Sequence, residues 1–253
     1  MNKKGFTLAE VLITLGIIGV VAALTIPTIL NWTFEREAVS KLKKNYSILQ
    51  SAVTQWQTDS NCLGNSYDCP EYDAALDNNS GGVARALAPY FKYANVYYTP
   101  TDAVGATISW LPDNAYFMNG TTRAYAGWVD ALPAKNQPEF GFSSYFLLAD
   151  GTTLMIAGAH HCYYAVIDIN GIKKPNRHGK DLFIASLGSP RHKTLSPYAI
   201  DPYFGGTASP GGACPDNSPT IVCNPDDGKS PTAYVLSHDK LPDLIKLGYP
   251  STP

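Results

Sequence analysis

Lys3-Lys4-Gly5-Phe6-Thr7-Leu8-Ala9-Glu10 opens the chain, and Val11 to Phe34 follows as 24 residues without an Asp, Glu, Lys or Arg. A bilayer core about 30 Å thick needs about 20 apolar residues at about 1.5 Å each, so this run is long enough to span. Lys3 and Lys4 precede it, which by the positive-inside bias predicts a cytoplasmic N-terminus and an exported remainder. Three readings fit. One is a secretory signal peptide cut after Ala23, where Val21-Ala22-Ala23 supplies small residues. Another is an uncleaved anchor. The third must account for Glu10. An ionised group in a membrane helix costs up to about 3 kcal/mol at the centre, less near the end, and is usually paired. A signal peptide does not need that carboxylate, and a plain anchor would do better without it.

Taken together, these residues resemble the processing motif of type IV prepilins and of the pseudopilins of type II secretion. The resemblance runs from Lys3 to about Leu30, little more than a tenth of the chain. It combines the glycine, the Phe, the Glu and the apolar run in one register. It implies that a prepilin peptidase cuts after Gly5 and methylates the new N-terminal Phe6, so that the apolar segment is retained. Glu10 then becomes the fifth residue of the mature chain, the family's assembly position. Opposite charges about 4 Å apart gain about 4 kcal/mol at an effective dielectric of 20, before desolvation is subtracted. The Glu10 carboxylate of an incoming subunit could thus be drawn to the Phe6 amine of the last one assembled. A pair within one subunit, a helical turn apart, is the alternative. Pro27 removes one backbone hydrogen bond, and a helix bend is expected there. Pilin-family helices are similar in having a Pro near this position.

The whole composition is that of a folded, near-neutral chain. Nineteen basic against 21 acidic residues give a net charge of -2, which disfavours a generally basic nucleic-acid binder. Only 16% of residues are charged and 11% are aromatic, which argues against wholesale disorder. The 19 Pro and 21 Gly suggest a loop-rich head rather than a helical bundle.

Beyond the apolar run, Asn31 to Thr58 reads as a continuing helix. Val39, Leu42, Tyr46, Leu49, Val53 and Trp56 form a narrow stripe of alternating three- and four-residue steps. Lys41, Lys43 and Lys44 fall off that stripe and are read as a solvated face. A short helix is expected in 81–92. Ser144 to Leu148 and Thr152 to Ile156 flank Asp150-Gly151 and predict a hairpin. Further strands are expected at Tyr163 to Ile169, Leu182 to Leu187 and Ala233 to Ser237. The pattern predicts an α+β fold with an antiparallel sheet and the long helix laid across one face, which is also what the pilin resemblance implies. The expected divisions are a leader (1–5), the long helix (6–58, membrane part about 6–30) and a β-rich head (59–253). The stretch 201–253 holds 9 of the 19 prolines and reads as irregular surface.

Five cysteines suit an exported, oxidising location. Two bonds among five cysteines allow 15 arrangements, and the local pairs Cys62–Cys69 and Cys214–Cys223 are the simplest, leaving Cys162 as a buried thiol. Pilins are similar in often carrying a disulfide in the C-terminal part of the head. His160-His161-Cys162 on a strand would point to alternating faces, so no metal site is expected there. Asp168, Asn170, Asn176 and Asp181 surround Gly171 and Pro175 and offer hard oxygens of the kind calcium takes. Turn chemistry explains them equally well and is preferred, so no resident cofactor is expected. No nucleophile elbow, phosphate loop or dinucleotide fingerprint is present.

The sequence therefore predicts a structural subunit and not an enzyme: a minor pilin or pseudopilin, with an inner-membrane helix and an exported head. The implied partners are prepilin peptidase, other pilin or pseudopilin subunits, an inner-membrane assembly platform and the lipid bilayer. The alternative is a tethered or secreted extracytoplasmic domain that binds a ligand or carries an activity.

Overall fold

The computed structural model describes residues 7–73, 81–98, 108–116, 143–159, 162–188, 195–197 and 232–246. Helix α1 runs unbroken from Leu8 to Asp59, with Pro27 inside it. Its two ends belong to different compact units, Met1–Glu37 and Ala38–Pro253.

In the first unit the helix is apolar on all sides. Leu12, Ile13, Leu15, Ile17 and Ile18, spread around the axis at about 100° per residue, are all exposed. Three of the threonines in this run turn their hydroxyls back onto the helix itself. The hydroxyls of Thr14, Thr25 and Thr33 donate to the carbonyls of Glu10 (2.9 Å), Val21 (2.9 Å) and Ile29 (2.8 Å). A hydroxyl spent this way asks nothing of its surroundings.

In the second unit the same helix is striped. Val39, Leu42, Leu49, Val53 and Trp56 are buried as the spacing predicts, while Tyr46 is half-buried. Asn45 takes an interior place that the apolar spacing did not reveal, donating to Thr152 Oγ1 (3.0 Å) and to the Lys41 carbonyl (2.9 Å). The helix stops at a left-handed Asn61 (φ 56°), with Cys62 N–H bonded to the Gln57 carbonyl (2.8 Å) and Asn61 N–H to that of Thr58 (3.2 Å). That pair of bonds is the Schellman arrangement, which satisfies the last orphan carbonyls. Just beyond it, Cys62 and Cys69 are disulfide-bonded. Inside the bridged loop the Gln57 amide donates to Ser66 Oγ (2.7 Å), and the Gly64 N–H donates to Gln57 Oε1 (3.3 Å). Glu71, in the short helix α2 (Pro70–Asp73), accepts from Trp56 Nε1 (3.1 Å) and Ser60 Oγ (3.0 Å).

Helix α3 (Gly81–Leu87) is followed by a 3-10 turn at Ala88–Tyr90, so the predicted helix in 81–92 is present in two pieces. The sheet is an antiparallel meander in the order β1 (Tyr93–Tyr97), β2 (Ser143–Leu148), β3 (Thr153–Ala159), β4 (Cys162–Asp168), β5 (Leu182–Gly188) and β6 (Ser196–Pro197). The four predicted central strands are there. β1 and β6 were not foreseen, since β1 is largely exposed and β6 is two residues long. One expectation is corrected: the strand expected at Ala233 to Ser237 is helix α4 (Thr232–His238). Short apolar runs are ambiguous between strand and helix. Here Thr232 Oγ1 accepts the β5 N–H of Ile184 (2.9 Å), and Ser237 Oγ returns to the Ala233 carbonyl (2.8 Å), a helical contact. The fold is thus α+β and pilin-like, with one long N-terminal helix and an antiparallel sheet.

One face of the sheet carries a cluster of Leu111, Tyr145, Met155, Tyr164, Val166 and Ile184. Strand alternation puts Phe146, Leu154, Ile156, Ile167 and Phe183 on the other face, and these are buried too. The β2–β3 connection is a three-residue turn, Ala149-Asp150-Gly151. Leu148 N–H bonds to the Thr152 carbonyl (2.8 Å), and Gly151 takes the left-handed position (φ 84°). Lys44 of α1 pairs with its Asp150 (2.7 Å). From the other side Gly171 (φ 63°) presses in so closely that an added Cβ would lie 2.9 Å from the Gly151 carbonyl oxygen. Gly64 (φ 80°) has the same handedness with nothing within 4 Å. Gly64→Ala should therefore show the cost of a positive φ alone, about 1 kcal/mol. Gly171→Ala adds a backbone clash and should lose about 2–3 kcal/mol. Urea unfolding of the two variants in detergent checks this, and equal losses would mean that the Gly151–Gly171 contact is not tight.

Candidate functional site

Two places in the described residues concentrate polar chemistry: the start of α1 and the connection between β4 and β5.

At the start of α1, Thr7 is the cap and Glu10 the third helical residue. Thr7 N–H and Thr7 Oγ1 both donate to Glu10 Oε2, each at 2.7 Å, and Glu10 N–H returns to Thr7 Oγ1 at 3.3 Å. This is a reciprocal capping box, which uses up amides that the first helical turn leaves unpaired. Threonine three residues before a glutamate, ahead of an apolar run, is its sequence signature, and Thr7 and Glu10 carry it. Glu10 is thus held by its own chain, one turn from the helix end. Gly5 and Phe6, the expected cleavage and methylation positions, lie outside the described residues. Pro27 sits in an uninterrupted helix, where it withholds an N–H from the Ala23 carbonyl.

The β4–β5 connection is a folded-in loop whose polar groups are mostly buried. Asp168 and Asp181 are wholly buried, and Asn176, Arg177 and His178 nearly so. Asp168 Oδ1 accepts from the backbone N–H of Asn170 (3.2 Å) and Gly171 (2.8 Å). Asp181 accepts through Oδ2 from Asn176 N–H (2.8 Å) and through Oδ1 from Arg177 N–H (2.6 Å). The Asn176 amide, oriented as its neighbours require, donates to the carbonyls of Gly171 (2.9 Å) and Lys173 (2.8 Å). Tyr116 closes the loop from outside: its N–H bonds to the Asn176 carbonyl (2.8 Å), and its carbonyl accepts from His178 N–H (2.9 Å). The four residues considered for calcium are brought together, yet three of their four carboxylate oxygens already serve backbone amides. The fourth, Asp168 Oδ2, and the side-chain oxygen of Asn170 are buried without a hydrogen-bond partner among the described residues. Among the described residues no group of three His, Cys, Asp or Glu side chains is placed to hold a metal ion.

Burial sets the electrostatics of this loop. It pushes the Asp181 carboxyl up to about 6 despite the amides that favour its charged form. It raises Asp168 well above the ordinary range, with the charge of Asp181 adding to the rise. It drives the His178 imidazole down to about 3.

Cys62 and Cys69 form the expected local pair. Cys162 opens β4, whereas His160, His161, Cys214 and Cys223 lie outside the described residues.

A family model for the prokaryotic N-terminal methylation motif matches residues 1–26. The chain carries a type IV prepilin-type signal. With the long apolar helix, that signal supports a type IV pilin-like or pseudopilin-like precursor and is consistent with a membrane-anchored protein. No curated protein and no solved structure matches the chain. The matched residues end within α1, well before the sheet.

The buried loop carries a pH prediction. His178 binds its proton in the unfolded chain below about 6.5 and in the fold only below about 3, so its contribution to stability is lost as pH falls through that window. Asp181 has the opposite sign: its contribution is full below about 3.8 and is lost as pH rises towards about 6. The two oppose each other between pH 4 and 6. In His178→Asn only the carboxyl contribution remains, so stability should fall more steeply with rising pH than in the native chain. The difference in slope is at most about 1.4 kcal/mol per pH unit. Urea midpoints taken across that range test it, and parallel slopes would count against a neutral buried His178.

Proposed function

We propose that the chain is a structural subunit, a minor pilin or pseudopilin, of a type IV pilus or type II secretion filament, and not an enzyme. Residues 1–5 are a leader removed by prepilin peptidase after Gly5, and Phe6 becomes the N-methylated first residue. Residues 6–58 form the assembly helix, lodged in the inner membrane over about 6–30. Residues 59–253 form an exported head. The observation that carries this reading is the methylation motif at residues 1–26, heading a helix that exposes apolar side chains on every side.

Assembly on the platform exchanges lipid for the helices of other subunits. The capped Glu10 carboxylate is then available to the methylated amine of a neighbouring Phe6. Two opposite charges in that setting outweigh two local hydrogen bonds, because the amine has no other anion among apolar helices.

Intact mass with N-terminal peptide mapping, on protein from its own host membranes, tests the processing. A chain starting at N-methyl-Phe6 is expected, and one starting at Met1 or Leu24 would sink the reading. For assembly, Glu10→Ala should reduce incorporation into filaments about tenfold, equivalent to about 1.4 kcal/mol. Thr7→Val keeps its backbone N–H and should lose less. Normal incorporation of Glu10→Ala would remove the carboxylate from the mechanism.

A further inference from the structure

The apolar stretch ends in a pair that the filament reading leaves unused. One turn separates Trp32 from Arg36, and the Arg36 guanidinium lies over the indole, 4.6 Å from the ring centre. Trp32 is more than half exposed. Among the described residues Arg36 makes no hydrogen bond or ion pair, so the N–H edges of its guanidinium stay open while its face is covered. Such a stacked guanidinium is oriented to present two parallel donors to a phosphate.

Spacing supplies a second, independent observation. The 20 residues from Val11 to Leu30 rise about 30 Å along an unbroken helix, the thickness of a bilayer hydrocarbon core. The 26 steps from Glu10 to Arg36 rise about 39 Å, close to the bilayer with its headgroups. When Glu10 and its cap stand at one headgroup layer, Trp32 falls at the level where amphipathic rings collect and Arg36 at the level of the phosphates. Glu35 and Glu37 lie about 100° to either side of Arg36 and do not share its face.

We propose that Trp32 and Arg36 form a phospholipid-headgroup site that fixes the depth of the helix on the exported side of the membrane, the guanidinium bound to a lipid phosphate. The proposal rests on the membrane-anchor reading and adds a specific partner and register to it. It also places Glu10 at the opposite headgroup layer before assembly, outside the hydrocarbon.

The test uses the full chain in vesicles of phosphatidylcholine and phosphatidylglycerol carrying bromine at defined depths on the acyl chains. The fluorescence lost on going from the native chain to Trp32→Phe isolates Trp32 from the other tryptophans. That signal should be quenched most by bromines nearest the glycerol and least by those at the bilayer middle. Arg36→Gln should shift quenching towards the deeper bromines, and Arg36→Lys should shift it less. Strongest quenching from the bilayer middle, or none at any depth while the chain floats with the vesicles, overturns the proposal and leaves the anchor reading intact. So does an unchanged depth profile in Arg36→Gln. A chain that does not float with the vesicles overturns both. Trp32 is exposed, so its loss does not endanger the fold.

Discussion

The β2–β3 turn is where the head holds itself together, because two separate parts of the chain meet its few atoms. Lys44 and Asn45 of α1 reach Asp150 and Thr152. Gly171 of the β4–β5 loop lies against the Gly151 carbonyl. Burial pushes the Asp150 carboxyl up, and its bonds to Lys44 and the Thr152 amide more than offset that, leaving it below its ordinary value. A partly exposed ion pair of this kind contributes little by itself. Its role is registration: the amide of Asn45 and the ammonium of Lys44, adjacent on the helix, fit only one position along the turn.

The β4–β5 loop solves a related problem. A connection drawn into the interior brings its backbone amides away from water, and each needs an acceptor. Asp168 and Asp181 supply them at either end of the loop, and Asn176 supplies donors for the carbonyls between. The cost is two buried carboxyls whose ionisation is disfavoured. A calcium ion would compete for the same oxygens. Three of the four carboxylate oxygens are committed to backbone amides, while Asp168 Oδ2 and Asn170 Oδ1 stay buried without a partner among the described residues, so the loop satisfies its amides before its side chains.

The sequence made the two ends of the architecture legible for different reasons. The N-terminal helix announces itself by length and by the absence of charge from Val11 to Phe34, and the central strands by alternation around Asp150-Gly151. What stayed hidden was set by tertiary contacts. Asn45 looks like a surface residue until Thr152 is placed beside it. Ala233 to Ser237 has strand composition, but Thr232 is committed to the β5 edge and the segment winds into a helix. β1 is exposed on most of its length, so no period of burial marks it. At the candidate sites, the Thr7–Glu10 box was written in the residue spacing, whereas the backbone bonds that tie Asn176 and His178 to Tyr116 link segments far apart in sequence.

One helix thus lives under two sets of rules. From Leu8 to Leu30 it presents apolar side chains all round and turns the hydroxyls of Thr14 and Thr25 back on its own carbonyls, so an apolar neighbour is acceptable on most of its surface. From Ala38 onward it has one buried face, tied by specific polar contacts that allow a single partner. A segment indifferent to the identity of its apolar surroundings can leave lipid and enter a bundle of like helices with little change in solvation. The capped carboxylate at its start and the stacked guanidinium beyond its end are the polar groups that must be re-satisfied in that exchange. On the proposed function, those two termini, and not the apolar length between them, decide the free energy of leaving the membrane.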